Sequence, residues 1–121
     1  MCKHKRALAN GFKSVVFATF DGMEELDMKG EHLENVVIVK LPFPVVGTPF
    51  AVSANEVEAM QGRNPFESVV LPTVYRRLAQ AMGRLLPTAT KTGRCVMLDT
   101  RFTTTEFGWQ LLQALPPLLR K

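Results

Sequence analysis

"LENVVIVKLP", residues 33–42, carries an unbroken β-branched run, Val36 to Val39, between Asn35 and Lys40. An alternating pattern marks a strand with one wet face. A continuous one marks a strand covered on both faces, the setting of a parallel sheet. Parallel strands need long, usually helical, crossovers, and the sequence on either side supplies them. Upstream, Lys3 to Asn10 reads as the end of a helix closed by Gly11, and "KSVVFATF", 13–20, as a buried strand. The acidic stretch to Gly30 reads as a loop or short helix. Downstream, "FPVVGTPF", 43–50, is a connection, "ANEVEAM", 54–60, with Gln61 is a helix ended by Gly62, and "RNPFES", 63–68, is a turn region.

The best helix runs from Pro72 to Leu86. Pro72 suits a first turn, and Val74, Leu78, Met82 and Leu85 recur at helical spacing as a core face. Arg76, Gln80 and Arg84 form a polar stripe four residues apart, with Arg77 beside it. Gly83 lies inside this helix, where glycine costs roughly 1 kcal/mol relative to alanine; close approach by a backbone or a ligand next to Arg84 would account for it. Pro87 stops the helix. "GRCVMLD", 93–99, is a third strand, and Thr103 to Leu115 a final helix with Thr103 as cap and Glu106 at the capping-box position. Phe107 and Trp109 of that helix are expected in the core. Strands alternating with helices give an α/β fold with right-handed crossovers.

The 121 residues, 46% of them hydrophobic, suit a single domain with one core. Net charge is +4, unevenly spread. Residues 21–34 hold Asp21, Glu24, Glu25, Asp27, Glu31 and Glu34 against Lys29 alone, whereas bases predominate from residue 35 onward. A basic body suits a polyanionic partner. Two cysteines, Cys2 and Cys95, with His4 and His32, do not form a zinc set, so no metal is expected. The basic N-terminus lacks the apolar stretch of a signal peptide, and no run approaches the roughly 20 apolar residues that span a bilayer. A cytoplasmic location without membrane partners is the default expectation. The chain has no G-x-x-x-x-G-K-[ST] phosphate loop, and Ser14 and Ser68 have no recognisable base, so the chain alone is expected to be inactive.

The stripe on the best helix is where chemistry concentrates, because guanidinium groups recognise phosphate through planar, multiple donors. "QAMGR" at 80–84, "LDTRFTTTEFG" at 98–108, "VVIVKLPFP" at 36–44, "NPFESVVLP" at 64–72 and "EELDMKG" at 24–30 together resemble, in order and spacing, the C-terminal part of the second RecA-like motor domain of DinG/XPD-type superfamily 2 DNA helicases. The likeness extends from about Lys5 to Pro116. It implies that residues 1–121 are the C-terminal portion of motor domain 2, an incomplete RecA-like, P-loop NTPase-type three-layer α/β domain with a mostly parallel sheet.

In that family "FATFDGMEELDMKG", 17–30, corresponds to motif V, with Asp27 at the acid that couples nucleotide state to the DNA track and Glu24 at the other acidic position. The Gln-x-x-Gly-Arg block corresponds to motif VI and sets Gln80 and Arg84 against the phosphates of ATP. ATP and Mg2+ would be bound mainly by a first motor domain outside this chain, as would an iron–sulfur cluster where the family has one. Arg101, Thr103, Thr104 and Arg76 fall near single-stranded DNA or the domain interface. The sequence departs from the family in two places: Pro87 stands where a second motif VI arginine is usual, and in motif V Glu25 stands where glycine is usual, with Met23 at the preceding position that is usually aromatic or small. Two other readings stand beside the helicase one. A truncated, inactive fragment would act as a binding or oligomerisation module, as a homo-oligomer or docked on a larger protein, and a small nucleic-acid-binding protein would bind single strands tightly with a steep salt dependence.

Overall fold

The computed structural model describes residues 3–25, 33–45, 47–85 and 93–115. Their elements in chain order are α1 (Lys3–Ala9), α2 (Phe20–Glu25), β1 (Asn35–Ile38), α3 (Pro49–Met60), a π-helical turn (Phe66–Val70), α4 (Leu71–Gly83), β2 (Arg94–Met97), α5 (Arg101–Thr104) and α6 (Glu106–Ala114). β1 and β2 form a two-stranded sheet. The Arg94 N–H donates to the Glu34 carbonyl at 2.8 Å and the Leu98 N–H to the Ile38 carbonyl at 2.9 Å. Both bonds join residues at the same offset while the numbers rise together, so the pairing is parallel.

The chain divides into two compact units. One comprises Met1–Val36 with Ala81–Cys95, the other Val37–Gln80 with Val96–Lys121. In the first, Val36, Ala81, Met82 and Leu85 are buried; in the second, Ile38, Leu41, Val74, Leu78, Phe102, Leu111 and Leu115 are. All four residues of the expected apolar stripe on α4 are therefore core residues, two in each unit. In the second unit α5 packs on α6, and α3 on the π-helical turn.

Several boundaries differ from the sequence expectation for identifiable reasons. α3 begins at Pro49 rather than residue 54, because the Thr48 hydroxyl accepts the Ala51 N–H at 3.3 Å and Pro49 fills the first helical position. It ends as expected before Gly62, whose φ of +73° favours glycine. The "RNPFES" turn region runs straight into the wide helical turn, where the Leu71 N–H reaches back five residues to the Phe66 carbonyl. The final helix is broken at Thr105. That residue, rather than Thr103, is the cap of α6, its hydroxyl accepting the Gly108 N–H at 3.1 Å. α4 ends at Gly83, which is thus terminal rather than interior, and among the described residues a Cβ there would meet nothing within 4 Å beyond its chain neighbours and its own helix backbone. Close approach by the described backbone does not explain this glycine.

The largest difference lies at residues 13–20. Residues 12–19 are neither helix nor strand, and Phe20 opens α2. Val15 is 78% exposed and Phe17 94%. A β-branched run becomes a strand only where a neighbouring ladder takes up its backbone groups. The sheet's own faces also differ. Val36 and Ile38 are buried, while Val37, Val39 and Leu98 are exposed. The unbroken run at 36–39 is thus covered on one face, not on both.

Candidate functional site

α4 carries the polar stripe. Arg76 and Gln80 are exposed on successive turns, and Arg84 follows in the turn just past the helix end, half-buried. A helix C-terminus presents unpaired carbonyls and the negative end of the macrodipole. The helix end itself does not favour a phosphate, so a side-chain cation would have to offset its charge, and among the described residues Arg84 lies just past that end. Asp27, by contrast, lies outside the described residues, as does Pro87. Glu24 falls within α2, with its side chain outside what is described. The expected motif V acids are therefore located by sequence alone.

The segment after β2 shows more detail, all of it within the second unit. Arg101 donates to Asp99 through Nε (3.0 Å to Oδ1) and Nη2 (2.7 Å to Oδ2), and its backbone N–H adds a bond of 3.1 Å to Oδ1. Oδ2 also accepts the Leu41 N–H at 2.9 Å. The Asp99 side chain is 7% exposed. Its bonds from the Arg101 guanidinium, and after them the Leu41 N–H, hold its carboxyl well below the usual carboxylate range against the opposing effect of burial. The guanidinium lies 5.0 Å from the centroid of the Phe43 ring, within cation–π range. Phe43, Phe66 and Phe107 form a triangle of rings, with Phe66 and Phe107 edge to face at 5.4 Å.

Arg101 thus faces Asp99 and Phe43, with its side chain still half exposed. Thr103 and Thr104 are exposed, and both hydroxyls donate to the Thr100 carbonyl, at 3.2 and 3.0 Å. They can contact a phosphate oxygen as donors only by re-aiming those protons. Phe107 is in the aromatic cluster, as expected of a packed residue, but Trp109 is 50% exposed and is not a core residue. Cys95 is half-buried in β2, and burial pushes its thiol up, away from a reactive thiolate. Among the described residues no group of three or more His, Cys, Asp or Glu could hold a metal ion, and no helix is long and apolar enough to cross a membrane. Asp99 is not a residue that sequence reasoning singles out: a lone acid at a strand end has no spacing signature, and its role rests on Leu41, 58 residues away.

Comparison with known proteins bears on the same segments. The model of the helicase C-terminal domain matches residues 1–118. The ATP-dependent DNA helicase DinG of Photobacterium profundum is 36% identical over 118 residues, 98% of this chain and 17% of the relative. DinG of Escherichia coli (strain K12) is 36% identical over 113 residues, covering 93% of the chain and 16% of the relative, and DinG of Salmonella typhimurium is 35% identical over the same length, with the same coverage of each chain. The chain spans about one-sixth of the length of the curated relatives it matches. Together the match along residues 1–118 and the identity to DinG helicases show that the chain belongs to the helicase C-terminal domain family.

Proposed function

We propose that this chain is the C-terminal part of motor domain 2 of an ATP-dependent DNA helicase or translocase, supplying motifs V and VI to a composite ATP site. The carrying observation is the Gln-x-x-Gly-Arg block at the end of α4, with Gln80 exposed and Arg84 half-buried at a helix end that requires a cation for any phosphate. Arg84 and Gln80 meet the nucleotide phosphates, and Arg84 offsets charge on the transferring phosphoryl group. Asp27 and Glu24 serve the motif V side. The nucleotide and its Mg2+ are held mainly by the first motor domain, which carries the phosphate loop this chain lacks. Arg76, Arg101, Thr103 and Thr104 lie toward the single strand or the interdomain surface, as a sequence-independent backbone contact.

A full three-layer RecA-like domain belongs to the same reading. The exposed apolar residues Val37, Val39 and Leu98 support it, since a parallel sheet is ordinarily covered on both faces. In the full polypeptide, Arg84→Ala is expected to lower DNA-stimulated ATP turnover by at least about tenfold, in the manner of a lost phosphoryl-stabilising arginine. Unchanged turnover would remove Arg84 from the site.

The same exposed residues favour a second reading, an inactive fragment that acts by binding or self-association. Sedimentation of the purified chain separates the two: a concentration-dependent dimer supports the second, a monomer the first.

A further inference from the structure

Leu41, Pro42 and Phe43, which follow β1 closely, are each held by a different charged side chain. The Leu41 N–H donates to Asp99 Oδ2 at 2.9 Å, Arg77 Nη1 donates to the Pro42 carbonyl at 3.4 Å, and the Arg101 guanidinium lies over the Phe43 ring at 5.0 Å. The three grips come from two places. Arg77 is on α4, three residues before Gln80; Asp99 and Arg101 open the segment that carries Thr103 and Thr104. All of these residues lie in the second unit.

We propose that Asp99 is a positioning residue: by fixing the Leu41–Phe43 loop and orienting Arg101 on it, Asp99 joins the helix that bears Gln80 to the Arg101–Thr105 segment and couples their ligands. This rests on the helicase reading above, in which α4 faces nucleotide and the threonine segment faces DNA. The carboxylate suits the role because four hydrogen bonds converge on it, from Leu41 N–H and from the Nε, Nη2 and backbone N–H of Arg101. An almost fully buried charge tolerates few arrangements of its partners, so it sets geometry sharply. Arg101, with two donor groups on Asp99 and its guanidinium over the Phe43 ring, acts on the loop, while its half-exposed side chain still lies toward the strand or interdomain surface. Coupling of two ligands requires an element that both bias, and the loop touches both sides.

The test is ATP hydrolysis by the full polypeptide with and without single-stranded DNA, for wild type and Asp99→Asn. Asparagine can still accept the Leu41 N–H but carries no charge for Arg101. The expected result is basal hydrolysis within about twofold of wild type and a DNA stimulation reduced about tenfold, within the usual span of coupling effects. The DNA concentration for half-maximal stimulation stays the same, which separates lost coupling from lost DNA binding. Phe43→Leu keeps an apolar side chain and removes the ring beneath Arg101, so it is expected to uncouple too; losing the ring contacts with Phe66 and Phe107 lowers the thermal midpoint modestly, and the variant decides the matter if Asp99→Asn fails to fold. Wild-type stimulation in both variants overturns the proposal and leaves the helicase reading intact. A parallel fall in basal and stimulated rates with a lowered midpoint also overturns it, leaving Asp99 a merely structural residue. Wild type without any DNA-stimulated hydrolysis overturns the helicase reading, and the coupling with it.

Discussion

Asp99 Oδ2 accepts the backbone N–H of Leu41 at 2.9 Å, so the chain just after β1 is tied to the chain just after β2 by a side chain instead of a further rung of sheet. The sheet bonds continue only to the Leu98 N–H on the Ile38 carbonyl. Beyond that point the backbone groups need other partners, and the carboxylate takes one of them while holding Arg101.

This arrangement sets an acid limit on stability. The folded-state carboxyl is depressed below its unfolded value of about 3.9. Its stabilising contribution is fully present above that value and is lost as pH falls below it toward the folded value, because the unfolded chain binds the proton first. At pH 7, Asp99→Asn is expected to cost about 1.5–3 kcal/mol, the scale of a hydrogen bond to a charged group. Urea unfolding of both proteins from pH 7 to pH 2 checks this: the difference between them should shrink below about pH 4. A constant difference across that range would contradict the assignment.

A second carboxylate acts more locally. Arg63 donates through Nε and Nη2 (2.8 Å to Oε1) to Glu58, near the end of α3, and Nη2 also reaches Gln61 Oε1. The Arg63 bond first, then one from Ser68, lowers the Glu58 carboxyl to about 2. In Arg63→Ala, a carboxyl-observed NMR titration should find Glu58 moved back up toward the ordinary glutamate value of about 4.3. The exposed position of the pair makes the stability change small. A midpoint that stays near 2 would show that Ser68 alone suffices.

Two glycines separate packing from chemistry. A Cβ at Gly108 would lie 2.4 Å from the Arg101 carbonyl oxygen and 2.5 Å from that of Phe102, both backbone atoms that cannot swing aside. Gly108→Ala is therefore expected to destabilise by about 1–3 kcal/mol, the usual range for overpacking. Gly83→Ala meets no described atom beyond its own helix turn and removes a flexible residue at the end of α4, so it should be neutral or stabilise by up to about 1 kcal/mol. Thermal unfolding of the purified chain measures both. In the full polypeptide, a Gly83→Ala variant that is stable yet slow in ATP turnover would mean that a ligand approaches the backbone beside Arg84.

What the sequence disclosed and what it withheld follow from range. The α4 stripe was legible because helical periodicity is local, and Val74, Leu78, Met82 and Leu85 are all buried. The strands at β1 and β2 were legible from unbroken apolar runs. Residues 13–20 misled because the same composition signals a strand only in the presence of a neighbour. The cap moved from Thr103 to Thr105 because three consecutive threonines are chemically equivalent caps, and the fold of α5 onto α6 selects among them. The Asp99 arrangement was invisible, since it depends on the parallel pairing that brings residue 41 to residue 99.

On the helicase reading, the exposed sheet residues should behave differently in this chain and in a full polypeptide. Leu98 is 56% exposed and Val39 63%, so in the isolated chain Leu98→Lys removes little buried surface and should shift stability by less than about 0.5 kcal/mol. If helices of the longer polypeptide cover this face, the same lysine must be buried there against apolar partners. An unpaired buried charge is then several-fold more costly, and the expected effect is a loss of soluble protein or a fall in thermal midpoint of many degrees. The measurement is the midpoint of Leu98→Lys relative to wild type, made once in the chain of 121 residues and once in the full polypeptide. A large effect only in the second supports the three-layer reading. Equal, small effects in both would mean that the face stays open to solvent in the parent and that the layer above it does not exist.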